Sequence, residues 1–505
     1  MFTKRLNHRR RPRYRYYVAY LSNMKIILLT ASLCLLTLLQ AQTPAYNYYF
    51  GNLHSHTGYS DGCQDSATSG ITEPAGAYNF AKASQHFDFL GISEHNHYSA
   101  SKNPGFKQPL YQPGLTIANN ANQDNVFLTL FGVEYGVSSN YNGHVVVYGF
   151  NQLLGWETGV PGVSGNNYDI FNAKTDYDGL WRKVKNNPNA FCYVAHPNNT
   201  DYTTNGLVAT ALYNAPYNAA YDSAIVGVPL RNGPAFSTSV NYTDYSSSNY
   251  FAYYKKLLSI GYHVGMTYDH DNHNTTFGRP NAGRLVILAP SLTRPNLYYA
   301  MQNMHFYGSD DWNAKIDFNT GGNIMGSILT GSVAPTFNVV HNDDDGEHLN
   351  YLQIWRGVSG SGSLPTVVYT SYQNNTATYT EQSMIQGTQY YYFAELKQAD
   401  GNWIITSPIW YTSTQNIGPV TSVQEHFNDI KFNFFPNPVS KQLNISIAEC
   451  DNYTVSITDI SGRTVLKNTY NDRELSIDLA GIQAGVYMLN VSTGNSSVSK
   501  KLIVE

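Results

Sequence analysis

Charge is scarce in this sequence: 31 Lys and Arg face 35 Asp and Glu, 13% of 505 residues, for a net charge of −4. With no basic stripe, nothing argues for a nucleic-acid-binding surface. Cysteine is scarcer still. Cys34, Cys63, Cys192 and Cys450 are scattered without paired spacing, which excludes a disulfide framework. Cys63 and Cys192 each sit a few residues from a candidate ligand, so one bridge between them stays open in an oxidising compartment, although spacing cannot supply its geometry. A long apolar run occurs once, at residues 26–39. At about 14 residues it falls short of the roughly 20 that a membrane-spanning helix needs, and no lipid-modifiable Cys follows it. Met24-Lys25 precedes the run and Leu39-Gln40-Ala41 offers a small-residue cleavage pattern, so residues 1–41 read as a signal peptide. Arg9, Arg10, Arg11, Arg13 and Arg15 extend its basic region, and Met24 is the natural start. The expected mature chain begins near Gln42, is exported, and has no transmembrane segment.

Tyr (42), Asn, Ser, Thr and Gly are abundant instead, as on exported β-rich surfaces. A chain of 505 residues predicts two to four domains. Over residues 48–312 short apolar runs such as Phe87–Ile92, Val126–Val133, Ala190–Ala195, Tyr262–Met266 and Leu285–Leu288 alternate with helical patterns. The segment Glu73–Ser84, capped by Thr72 with Pro74 in its first turn, is one such helix, and Tyr250–Ile260 another. This order predicts an α/β barrel or layered parallel sheet, with function on the loops that follow the strands. Over residues 313–412 strand-like alternation takes over, as in Thr336–Val340, Leu352–Trp355 and Tyr390–Leu396, predicting an Ig-like β-sandwich. Residues 413–430 read as a linker and residues 431–505 as a small all-β unit.

Histidine carries the chemistry. Ten of the 15 lie between residues 54 and 273. Leu53-His54-Ser55-His56 closes the first strand, and residues two apart on a strand face one way; His54 and His56 can therefore share a cation, with Asp61 returning from the loop. An isolated His-x-His is weak evidence, because two histidines on a wet strand face are common. Its neighbours change that: Ile92-Ser93-Glu94-His95, Gly132-Val133-Glu134 followed by His144, Ala195-His196-Pro197, and Asp269-His270-Asp271-Asn272-His273. Randomly placed surface histidines would not prefer strand exits. Imidazole and carboxylate ligands without Cys suit Zn²⁺, Mn²⁺ or Fe²⁺.

Taken in this order, the motifs resemble the PHP (polymerase and histidinol phosphatase) family of metal-dependent phosphoesterases over about 265 residues. The resemblance implies a distorted (β/α)7 barrel with a cluster of two to three divalent metal ions. It implies that His54, His56, Glu134 and Asp271 hold one metal, that Glu134 bridges to a second held by His144 and His196, and that Asp61, His95 and His273 hold the third. The chain departs from the family at Ser93-Glu94-His95, where Thr-Asp-His is usual; a longer carboxylate replaces a supporting one. The implied activity is hydrolysis of a small phosphomonoester or phosphodiester by a metal-bridging hydroxide. Hydrolysis of a carbonyl ester, amide or carbamate, and a non-catalytic surface binding protein, stand as alternatives.

His97 and His270 are candidates to protonate the leaving group and, with Asp269, read equally well as second-layer partners or solvated loop residues. Arg279 is the candidate phosphate-binding guanidinium; Arg231 and Arg284 read more simply as ion pairs, and His86 as structural. Asp343-Asp344-Asp345-Gly346-Glu347 lacks the alternating spacing of a calcium loop and reads as a polar hairpin turn.

The last segment, 431–505, resembles a type IX secretion C-terminal sorting domain: Phe435-Pro436-Asn437-Pro438 opens it, Asp459-Ile460-Ser461-Gly462-Arg463 marks its middle hairpin, and Gly485-Val486-Tyr487 precedes Lys500-Lys501-Leu502-Ile503-Val504. The resemblance implies recognition by the type IX machinery and release from, or attachment to, the surface of a Gram-negative cell.

Overall fold

The computed structural model describes residues 46–418 and 432–505, apart from 85–86, 100–104, 140, 204–210, 234, 239–246, 279–282, 448–451 and 493–496. The signal segment, His86, Arg279 and most of the 413–430 linker lie outside the described residues. The chain divides into two compact units, one ending at Gly418 and one beginning at Pro419.

In the first unit the chain forms β1 (Asn47–Asn52), β2 (Phe89–His95), β3 (Leu128–Tyr135), β4 (His144–Tyr148), the short pair β5 (Leu154–Gly155) and β6 (Ile170–Phe171), β7 (Phe191–Ala195), β8 (Gly227–Asn232), β9 (Gly265–Asp269), β10 (Arg284–Ala289) and β11 (Phe306–Ser309). Helices Pro74–Lys82, Tyr111–Ala121, Tyr177–Lys185, Phe251–Ile260 and Arg294–Gln302 lie between them. The first is capped at Glu73 rather than Thr72. β2 and β3 are buried along their whole length, as unbroken apolar runs require when both faces are covered. Gly91 lets β2 approach β4: a Cβ there would meet the Tyr148 hydroxyl at 2.3 Å.

The (β/α)7 barrel expected from the strand–helix alternation is not what the chain forms. Strands take up 42% of the described residues and helices 14%, and the main sheet is an open path of mixed direction, in the order β14 (Ile328–Gly331), β21 (Ile409–Ser413), β19 (Gln389–Gln398), β20 (Trp403–Thr406), β11, β10, β1, β2, β3, β4 and β7. Parallel pairing is confined there to β1–β2, β2–β3 and β14–β21. β3–β4, β4–β7, β1–β10 and β10–β11 are antiparallel, while β8 and β9 form a separate parallel pair. The physical reason is loop length. Residues 136–143 are too few for the crossover that a parallel neighbour of β3 needs, so β4 folds straight back.

The sheet continues through β20 into the region 313–412, whose strands are β12 (Lys315–Thr320), β13 (Asn323–Ile324), β14 (Ile328–Gly331), β15 (Thr336–Asn342), β16 (Leu349–Val358), β17 (Thr366–Tyr372), β18 (Thr376–Thr380), β19 (Gln389–Gln398), β20 (Trp403–Thr406) and β21 (Ile409–Ser413). A second sheet, β13-β12-β15-β18, covers it to make a β-sandwich. Along β12 and β15 burial alternates strictly, and Ile316, Phe318, Phe337 and Val339 meet Leu352, Ile354 and Tyr392 in a core that also takes in Phe50, Val286, Leu288 and Tyr307 from β1, β10 and β11.

The second unit has sheets of three and four strands around Leu443, Ile445, Val455, Ile457, Leu489 and Leu502. Arg463 Nε donates to Asp459 Oδ2 at 3.1 Å across its hairpin.

Candidate metal centre

Strand geometry delivers the ligands. His95 ends β2 and its neighbour in register on β3 is Glu134. His144 opens β4, which runs antiparallel to both β3 and β7, so that it lies opposite Ala195 with His196 one residue on. His54 and His56 follow β1, while Asp271 and His273 follow β9, joined by the Asp271 amide donating to the His54 carbonyl at 2.8 Å and the His56 amide to the Asn272 carbonyl at 2.8 Å. His196 and Asp271 hold left-handed backbone, φ 32° and 53°, a conformation that costs about 1–3 kcal/mol and clusters at functional sites.

All nine residues converge. Ligating atoms of His54, His56, Glu134 and Asp271 lie within 4.8 Å of one another, as do those of Glu134, His144 and His196, and those of His56, Asp61, His95 and His273. His56 thus belongs to two groups, as Glu134 does. Glu134 Oε1 is 2.8 Å from His144 Nδ1, 2.9 Å from His196 Nε2 and 3.1 Å from His54 Nε2, while Oε2 is 3.1 Å from His95 Nδ1. Asp61 Oδ1 is 3.4 Å from His95 Nε2 and 3.3 Å from His273 Nε2.

Protons alone do not satisfy this arrangement. His144 Nδ1 and His196 Nε2 lie 3.3 Å apart while both face one carboxylate oxygen. Glu134 Oε2, Asp61 Oδ1, His54 Nε2 and His95 Nδ1 are buried with no well-formed hydrogen bond, a state that native interiors avoid. Burial alone would raise Glu134, yet the rings of His144, His54 and His95 hold it well below the usual carboxylate range. Burial would lower His56, but Asp271 and Glu134 carry it up to about 10. His144 goes the other way, burial pushing it down to about 4 and leaving a neutral ring with a lone pair. Borderline-soft or hard divalent cations fit this N/O donor set.

Buried partners aim the ligands. Asp269 Oδ2 takes His54 Nδ1 at 3.1 Å, leaving Nε2 to face Glu134. The Asp271 carbonyl takes His273 Nδ1 at 2.8 Å. Asn232 Nδ2 donates to Asp271 Oδ2 at 3.0 Å. Glu94 accepts from the Thr57 amide at 3.0 Å and from the hydroxyls of Thr57 and Ser60, clamping the loop that delivers Asp61. Sequence reasoning missed Asn232, whose signal was its place at the end of an apolar run in Pro229-Leu230-Arg231-Asn232-Gly233. It also missed Phe236, 49% exposed, whose ring stacks 4.1 Å from that of His273.

The remaining candidates separate. His97 is buried, groups with His95 and His144, and has neither ring nitrogen bonded; burial, then His95 and His144, push it down to about 3. His270 is not among the ligand groups. Its Nε2 faces the Gly283 carbonyl at 2.7 Å and its ring stacks on Phe87. Arg231 is committed to Asp310 by two bonds of 3.0 and 2.8 Å, and the buried Arg284 to the carbonyls of Gly278 and Gly283. Cys63 and Cys192 are buried free thiols, so the open bridge does not form.

Fold and site together describe a β-rich exported protein with a buried histidine–carboxylate cluster. Residues 433–505 match the secretion system C-terminal sorting domain, which makes the chain a secreted or cell-surface protein addressed to that machinery. No helix among the described residues is long and apolar enough to cross a membrane. An endo-acting ulvan lyase of Formosa agariphila is 37% identical over 73 residues, 14% of either chain. Among solved structures, the chicken CNTN1 FN1–FN3 domains (11% identity, TM-score 0.13, 35% of this chain and 62% of that one) and the Clostridium thermocellum CbhA fibronectin(III)-like modules (10%, 0.14, 38% and 94%) are similar in part. These scores carry no argument about the site.

Proposed function

We propose that the chain is a secreted metal-dependent phosphoesterase whose centre is akin to that of the PHP phosphoesterases. The observation that supports this best is Glu134, whose carboxylate faces five histidines and is shared between two ligand groups. Two or three divalent cations held there would polarise a phosphoryl group and lower the pKa of an attacking water. Glu134 sets the spacing of the first two groups. Asp269 fixes the tautomer of His54, and Glu94 holds the Asp61 loop. His97, kept neutral by burial, is placed to offer an N–H to a leaving oxygen. Among the ligands, His196 has the most exposed side chain, at 21%, which makes its side the entrance; Phe236 lies beside His273, where an aromatic face can receive an apolar part of a substrate.

The test is metal content of the purified mature protein together with hydrolysis of a phosphomonoester and phosphodiester panel, wild type against Glu134→Gln. Two to three equivalents of metal and phosphate release lost in the variant are expected. Stoichiometric metal without phosphate release would replace this reading with hydrolysis of a carbonyl ester, amide or carbamate. No metal after reconstitution would leave a binding protein.

A further inference from the structure

A second cluster of ionisable groups lies in the sandwich region, built from three separate segments. Asp311 follows β11, Asp343 and Glu347 belong to the turn between β15 and β16, and Gln398 ends β19. Carboxylate oxygens of Asp311, Asp343 and Glu347 lie within 4.8 Å of one another. Lys315 pairs with Asp344, at 2.8 Å, rather than with any of these three.

Amide side chains, not only carboxylates, mark the place. Gln398 is 1% exposed and points its amide into the cluster, Nε2 lying 2.7 Å from Asp311 Oδ2 and 3.0 Å from Asp343 Oδ2. Its Oε1 is buried with no hydrogen-bond partner. Asn313, also 1% exposed, has neither side-chain atom bonded, and its backbone N–H donates to Asp311 Oδ1 at 3.1 Å. Burial and the facing Asp343 push Asp311 up, and burial with Asp400 and Asp343 pushes Glu347 up to about 7, while Asp343, which accepts from the Asp345 amide at 2.8 Å, is lowered against its burial by hydrogen bonds from Asp311 and the backbone.

We infer that this cluster is a calcium site, with Asp311, Asp343, Glu347 and Gln398 as its oxygen ligands. Turning the Gln398 amide over exchanges its N–H₂ for Oε1 and presents a carbonyl-type oxygen to the ion. All donors are then hard oxygens at strand ends and turns, a set that suits Ca²⁺ rather than a transition metal, and extracellular modules bind calcium at the concentrations met outside cells. The ion would clasp the end of β11 to the β15–β16 turn and to the end of β19. Asp343–Glu347 alone lacks calcium-loop spacing because the remaining ligands come from distant segments.

The test uses full-length mature protein, chelated and then reconstituted at its histidine centre with Zn²⁺ or Mn²⁺, and titrated with Ca²⁺ by calorimetry and thermal unfolding. Wild type is compared with Asp343→Asn and Glu347→Gln. Wild type is expected to bind one equivalent of Ca²⁺ and to unfold at a higher temperature with it. Each variant should lose that binding, and Glu347→Gln should unfold without calcium at or above the wild-type temperature, because repulsion has been relieved. A misfolded variant cannot give that result. An unresponsive wild type, an unchanged calcium shift in the variants, or a Glu347→Gln variant less stable than wild type without calcium would overturn the inference. Metal content of the histidine centre, measured in the same samples, keeps this result separate from the phosphoesterase reading.

Discussion

Glu134 Oε1 and His144 Nδ1 lie 2.8 Å apart although they sit on strands running in opposite directions. The hairpin that turns β4 back after β3 brings the second histidine group onto the carboxylate at the exit of β3, and one side chain then serves two groups. Removing it therefore acts on both. In Glu134→Gln, metal measured by emission spectrometry should fall by at least one equivalent, and hydrolysis by more than roughly 100-fold, beyond the range for outer partners. Full metal content in the folded variant would contradict the shared role.

Asp269 Oδ2 holds His54 Nδ1 at 3.1 Å. Asp269→Asn keeps the shape but removes the charge that selects the tautomer. Metal affinity should weaken by about 10- to 100-fold, measured by competition with a chromogenic chelator, with an unchanged circular dichroism spectrum.

Away from the centre, Asp222 accepts from the His263 amide at 2.6 Å, from His263 Nδ1 at 2.7 Å and from the Tyr217 hydroxyl at 2.9 Å. Burial would raise its carboxyl, but these bonds outweigh burial and lower it. A carboxyl lowered in the folded state contributes stability above its unfolded value, about 3.9, and loses it as pH falls through the folded value. Asp222→Asn should cost about 1–3 kcal/mol at neutral pH. In urea unfolding the gap between variant and wild type should narrow as pH falls below about 4.

The boundary at Gly418 and Pro419 predicts a clean truncation. Ending the chain at Gly418 should leave the thermal unfolding and metal content of the first unit unchanged, because among the described residues its cores draw on none beyond Ile417. Fractionation of the native host should find the truncated protein retained inside the outer membrane, since residues 433–505 are the sorting domain. Release of the truncated chain to the medium would show that a second export signal operates.

How much of this was legible beforehand follows from what is local. A two-residue strand period puts His54 and His56 together, apolar runs locate β2, β3, β7 and β9, and a polar residue following such a run is read at its exit: His95, Glu134, His196, Asp271 and His273. The tail motifs are equally local. Strand direction is not. Nothing in residues 136–143 but their number says that β4 returns antiparallel, and the alternation that suggested a barrel is common to parallel and mixed sheets. The pairing of β11 with β20 joins the sandwich to the main sheet through hydrogen bonds between segments about a hundred residues apart, which no window of sequence displays.

The sequence by itself therefore determined which residues stand at strand ends, and that the chain is exported. Tertiary structure alone decided that Glu134 faces five histidines, that Asp269 and Asn232 support ligands, that His270 turns to the Gly283 carbonyl, and that Asp311 meets Asp343. Strand periodicity and turn chemistry act over a few residues and are written in their order. Convergence depends on which strands pair, and pairing is chosen by the burial of the whole sheet.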